Sequence, residues 1–177
     1  MSVNRYHTAL VLLHWLLAVL LVLALVMGSQ VLAELPNTAP EKLGALKGHM
    51  LVGGTILVLT LIRLWVRLTT AHPPAATTGL AWADRLAPVL HGMLYVLVLT
   101  MAGSGIAMSV GFDLPSVVFN GQGSLPADFH VAFARRVHGV TSGLLGLLIL
   151  AHVAAALYHQ FVKRDALLSR MGFGPRR

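Results

Sequence analysis

The chain contains no cysteine, which excludes disulfides, thiolate-held zinc and cysteine-ligated iron–sulfur clusters. Charge is nearly as scarce. Only 11% of the 177 residues are charged and six are acidic, and no Asp or Glu falls deep within an apolar run. Hydrophobic residues make up 56% and mean hydropathy is +0.78, above the apolar share of roughly 45 to 50% in soluble domains. Thirteen Lys and Arg give a formal charge of +7, which alone would suit nucleic acid or an anionic membrane surface. The hydropathy decides for membrane and against nucleic acid.

Between Arg5 and Glu34 no residue carries a formal charge, and that run exceeds the roughly 20 residues needed to cross a hydrocarbon core of about 30 Å. It is too long for a signal-peptide core, is interrupted by His14 and Trp15, and lacks a clear small-x-small cleavage site. A retained span is expected. Gly48 to Ile62 is shorter, so the second span extends to Leu68 with Arg63 and Arg67 snorkelling at its end. With two further apolar runs, the expected spans are approximately 8–33, 46–68, 86–110 and 132–162 of a single membrane domain covering 1–177. Clusters of Pro and Gly at Pro36 to Pro40, His72 to Gly79 and Gly111 to Pro126 fall in the loops.

If both termini are cytoplasmic, that side carries nine basic residues (Arg5, Arg63, Arg67, Arg85, Lys163, Arg164, Arg170, Arg176 and Arg177) against Asp84 and Asp165. The outer side then balances Lys42, Lys47, Arg135 and Arg136 against Glu34, Glu41, Asp113 and Asp128. The positive-inside rule therefore favours an all-α, integral membrane four-helix bundle with N- and C-termini cytoplasmic.

Nine histidines are many for so uncharged a chain, and ionisable groups within spans are costly and by default functional. Counting from the flanking charges sorts them by depth. His14 lies nine residues after Arg5 and His152 eleven before Lys163, so both sit roughly 14 to 17 Å above the inner charges. His49 and His138 each follow a basic residue by two positions and form a second layer near the outer boundary. His138 and His152 are fourteen residues apart, hence on one helix face and separated by about 21 Å. Two imidazoles from two helices are too few for structural zinc but suffice for haem, whose porphyrin supplies four more nitrogens. Without cysteine, such a haem is held without thioether bonds.

His91 and His159 sit at similar shallow depth on the cytoplasmic side, and His159 is seven residues from His152 on the same face. They are candidates for a quinone site, hydrogen-bonding a carbonyl or relaying its proton, or for substitute ligands of the inner haem; interfacial polarity is the plain alternative. Lys47, Arg135 and Arg136 border the outer layer and Arg63 and Arg67 the cytoplasmic side. These cations suit haem propionates or a small anionic substrate, against a plain membrane-anchoring role. Gly53, Gly54, Ser142, Gly143 and Gly146, and the Gly103-Ser104-Gly105 step, read as close helix packing. The Met residues of span three read as packing too.

The pattern resembles the bacterial cytochrome b561 family of di-haem b inner-membrane cytochromes. The resemblance covers nearly the whole chain and rests on His14-Trp15, His49 with Gly53, His91 with Leu94-Tyr95, and Arg136-Val137-His138-Gly139. Its most specific part is His152-Val153-Ala154-Ala155-Ala156-Leu157-Tyr158-His159 followed by Lys163-Arg164-Asp165. It implies two haem b groups ligated by His14 with His152 and by His49 with His138, the pairs that depth gives independently. It further implies electron exchange with ubiquinone and, in some members, oxidation of superoxide at the outer face. The expectation is a multi-pass protein of the bacterial inner membrane, with lipid, quinone, and superoxide or a redox protein as partners. A haem-bearing anchor subunit for a dehydrogenase or hydrogenase is the alternative; a histidine-relay transporter without haem is a third reading, weakened by the lack of deep carboxylates.

Overall fold

The computed structural model describes residues 5–74, 81–165 and 167–172. Arg176 and Arg177, counted in the charge balance, lie outside the described residues, as do residues 75–79 of the second loop. The architecture is all-helical: α1 (Thr8–Val26), α2 (Pro40–Thr69), α3 (Ala81–Gly111), a short α4 (Leu114–Asn120) and α5 (Phe133–Tyr158). Two wide π-helical segments, Met27–Leu32 and His159–Lys163, prolong α1 and α5. Four helical stretches are long and apolar enough to cross a membrane: Thr8–Leu32, Pro40–Thr69, Asp84–Gly111 and Phe133–Lys163.

Local chemistry sets the helix boundaries. Pro40 occupies the first turn of α2, where its missing N–H costs no hydrogen bond, and Glu41 complements the positive helix start. The tract from Gly111 to Pro126, read as loop, contains α4. Asp113 there adopts a left-handed conformation (φ 48°) and accepts a 2.9 Å hydrogen bond from the Ser116 hydroxyl, while Gly121, also left-handed (φ 67°), ends the helix. Leu114 and Val117 are buried beneath it, which supplies the tertiary packing that so short a helix requires.

α3 packs along α5, α1 along α2, and α2 against α3. The buried centre takes one residue from each long helix: Leu17, Ile56, Val98 and Leu145, the last 1% exposed. Around it Leu12, Val19, Val58, Trp65, Val96 and Leu150 stand exposed. So extensive an apolar exterior in water would aggregate, and in lipid it is the expected outer surface.

One end of the bundle gathers both chain termini. Tyr6 N–H meets Arg170 O at 3.4 Å, Trp15 Nε1 donates to Met171 O at 3.1 Å, and Arg170 donates to Pro74 O at 2.8 Å. At the far end Asn37 donates to Pro126 O at 2.8 Å, tying the α1–α2 turn to the segment entering α5. These are called the terminus end and the loop end below.

Candidate functional site

Seven residues are nearly two helical turns, so side chains at that interval stack along one face. α5 carries His138, Leu145 and His152 at this interval and its π-helical extension His159; α2 carries His49, Ile56 and Arg63; α3 carries His91, Val98 and Gly105; α1 carries His14 and Leu21 and its π-helical extension Gly28. Because the four helices run side by side, these sets align in three layers. The middle layer is the apolar centre. Toward the loop end His49 and His138 meet, with Gly28 and Gly105 against them. Toward the terminus end His14, Arg63, His91 and His152 converge.

In the loop-end layer the His49 and His138 rings are 6.2 Å apart centre to centre and 70° apart in plane. A Cβ on Gly28 would lie 3.6 Å from His49 Cε1, and one on Gly105 3.5 Å from His138 Cε1. The π-helical turn beginning at Met27 carries Gly28 to that contact. His138 Nδ1 lies 3.0 Å from the Ser104 hydroxyl, whereas His49 Nδ1 is buried without a hydrogen-bond partner.

In the terminus-end layer His14 and His152 are 6.1 Å apart and 74° apart in plane. His91 packs edge-on against His152 at 5.4 Å, and its Nδ1 donates to Ala87 O at 2.7 Å. Arg63 donates through Nε to the Tyr95 hydroxyl at 3.2 Å and lies over that ring; its Nη1 is buried and unpartnered, and it is within electrostatic reach of both His14 and His152.

The donor set suits haem. Each pair brings two imidazoles from different helices to 6.1 and 6.2 Å between ring centres, and these are the residues that would hold a haem iron at each depth. α5 is not closely packed against α1 or α2 among the described residues, and the imidazoles of each pair face each other across these helices. Among the described residues no three His, Asp or Glu gather as a self-sufficient metal site, and each pair would supply two nitrogens to a group bringing the other four.

The other expected site residues are placed less closely together. His159 is held by Asp165 at 2.5 Å, and among the described residues no ring contact joins it to His91. Lys47 sits 5.5 Å over the Phe119 ring of α4. Arg135 is half-buried, lies along α5 with Nη1 3.0 Å from the Cβ position of Gly139, and is within electrostatic reach of His138. Arg136 is exposed and lines a shallow cavity of about 280 Å³ with Phe133, Val140 and Thr141. Arg67 is half-buried beside Arg63.

Sequence reasoning missed four participants: Ser104, Gly105, Gly28 and Tyr95. Ser104 and Gly105 were read as packing, yet Gly105 lies fourteen residues from His91 and Gly28 fourteen from His14, the interval already used for His138 and His152. That periodicity could have found both glycines. Ser104 gave no such signal, and Tyr95 entered only through the family resemblance beside His91, without a role of its own. Lys42, counted only as charge, is buried and donates to Leu35 O.

These features define a class: a membrane helical bundle with two imidazole pairs at two depths. The family model for prokaryotic cytochrome b561 matches residues 5–174, and the chain belongs to that family. It is similar to a protein named cytochrome b562 from Cereibacter sphaeroides, 32% identical over 90% of this chain and 89% of that one. It is also similar to cytochrome b561 homolog 1 of Escherichia coli, 26% identical over 95% of this chain and 97% of that one. It is therefore a multi-pass bacterial membrane protein of haem b-based electron transfer.

The Asp165 carboxyl, outside the spans, is raised by burial but brought net below the ordinary carboxylate value by the His159 hydrogen bond, the Leu167 N–H at 3.2 Å and the positive charges of His159 and Lys163. A depressed carboxylate stabilises the fold fully above its ordinary value near 3.8 and loses that contribution as pH falls through the lowered one. Asp165→Asn should accelerate amide exchange at residues 167–171 about two- to fivefold at neutral pH, as expected for a pair this accessible. Equal exchange in parent and variant would show that the clasp does not hold the segment.

Proposed function

We propose that the chain carries two haem b groups, one between His14 and His152 and one between His49 and His138, and moves electrons between a donor at the loop end and ubiquinone. The observation that carries this is the pair of imidazole–imidazole spacings, 6.1 and 6.2 Å, in layers fourteen residues apart. The nine-to-two charge bias supports an orientation with the terminus end in the cytoplasm and the loop end on the outer side of the inner membrane. When bound, haem supplies a one-electron ferric–ferrous couple in each layer.

The chain's own groups orient and neutralise. Arg63, oriented by Tyr95 and with Nη1 unpartnered, is the partner for a propionate at the inner layer, with Arg67 reinforcing its charge. Lys47, Arg135 and Arg136 make the loop end cationic and would draw superoxide or hold outer propionates. Two superoxide anions each release one electron as dioxygen, and one ubiquinone takes those electrons with two protons to become ubiquinol. His159, its Nδ1 engaged by Asp165, presents the other ring nitrogen to a quinone oxygen, and His91 stands nearer the haem-side pair. With two histidines to hold each haem, a bound iron would offer no open site, which favours outer-sphere transfer over chemistry at iron.

A reduced-minus-oxidised spectrum with haem counted per polypeptide tests the reading. Two extractable haems are expected in the parent, and one lost or altered in each of His14→Ala, His49→Ala, His138→Ala and His152→Ala. A colourless parent, with haem supply verified, would overturn it. Charge reversal at Lys47, Arg135 and Arg136 together should slow superoxide-driven haem reduction about tenfold and flatten its salt dependence; an unchanged rate removes superoxide as donor. His159→Ala or His91→Ala should slow reoxidation by ubiquinone on the order of 10²-fold with the spectrum preserved, whereas loss of haem would make that histidine a ligand.

A further inference from the structure

We infer that Ser104, on a helix that supplies no ligand to the loop-end pair, is the positioning residue that sets the tautomer and ring plane of His138 and thereby lowers the redox potential of the haem in that layer. The inference rests on the two-haem reading above. Ser104 is 8% exposed, and its hydroxyl lies 2.9 Å from Met101 O and 3.0 Å from His138 Nδ1. A serine hydroxyl has a single proton and accepts with its lone pairs. With that proton given to the Met101 carbonyl, His138 Nδ1–H donates to Ser104 Oγ, with the Met101 carbonyl as a second acceptor within its reach. The lone pair of His138 then resides on Nε2, the form that ligates iron.

The hydrogen bond crosses from α3 to α5 beside Gly105, where a Cβ would sit in van der Waals contact with the His138 ring at 3.5 Å. A ligand histidine that donates its second N–H is a more basic, better oriented ligand. Greater ligand basicity favours the ferric state and lowers the potential. His49, across the pair, has no equivalent support, since its Nδ1 is buried without a partner. Of the other span histidines, His91 is bonded within its own helix to Ala87 O and His159 to Asp165, and neither lies at the loop-end layer. Ser104 therefore acts on one layer and makes the two haems inequivalent.

Redox titration with electron paramagnetic resonance on the haem-loaded full chain tests this, with the loop-end signal assigned by its loss in His49→Ala. Ser104→Ala should keep two haems, raise the potential of the loop-end component by on the order of a tenfold change in its ferric–ferrous equilibrium, about 59 mV for one electron, and shift its g anisotropy as the ring plane relaxes. The terminus-end component should not move, and Ser104→Thr should restore the parent values. An unmoved loop-end potential in Ser104→Ala, or equal shifts in both components, would overturn the inference. Should Ser104→Ala fail to retain the haem, Ser104→Cys replaces the hydroxyl with a weaker acceptor and must raise the same potential; no shift there overturns it equally. A colourless parent would instead remove the two-haem reading before any Ser104 variant was made.

Discussion

Four helices can share two functional layers only if they stay in register across fourteen residues, and the seven-residue interval on each long helix meets that constraint. Two intervals span about 21 Å, most of the hydrocarbon thickness. His138, Leu145 and His152 keep one face of α5 toward the axis of the bundle, while Ile56, Val98 and Leu17 close the space between the layers. The apolar middle does more than stabilise. It holds the histidine pairs at opposite depths with an apolar interval between them.

The layers share a spacing and differ in chemistry. At the loop end, histidine from α2 and α5 faces glycine from α1 and α3, leaving close approach and room. At the terminus end, the glycine positions are taken by His14 and His91, and the α2 position by Arg63. The same backbone register therefore presents two imidazoles with minimal bulk around them at one depth, and three imidazoles and a guanidinium at the other. A buried guanidinium nitrogen without a partner is expensive in any protein interior, and an anionic group seated beside it would offset that cost. The terminus end also has its own covering: the short segment Leu167–Met171, anchored by Trp15, Arg170 and the His159–Asp165 clasp.

Lipid explains why so little charge is needed and why each exception matters. Helices satisfy their backbone groups internally, so the exterior can be purely apolar. Polar side chains in the spans bond to their own helix, as Thr55 to Leu51 O at 2.9 Å and Thr100 to Val96 O at 2.9 Å, and Ser104 adds to its own-helix bond with Met101 O a contact with the His138 ring.

Sequence alone determined that the chain lies in a membrane, how many times it crosses, and at which depths its histidines sit. Those properties follow from run length, charge placement and a fixed rise per residue, all of which are local. The pairing of His14 with His152 and of His49 with His138 was also legible, because matched depth and family resemblance agree. Only the tertiary structure decided which side chains support the pairs. Whether Ser104 faces a helix or a histidine depends on the rotation and approach of α3 against α5, and whether Arg63 meets Tyr95 or solvent depends on how α2 lies beside α3. His91 and His159 show the same limit: equal depth placed them together, yet depth leaves the angle around the bundle undetermined, and the helix faces turn His91 toward His152 while the chain reversal gives His159 to Asp165.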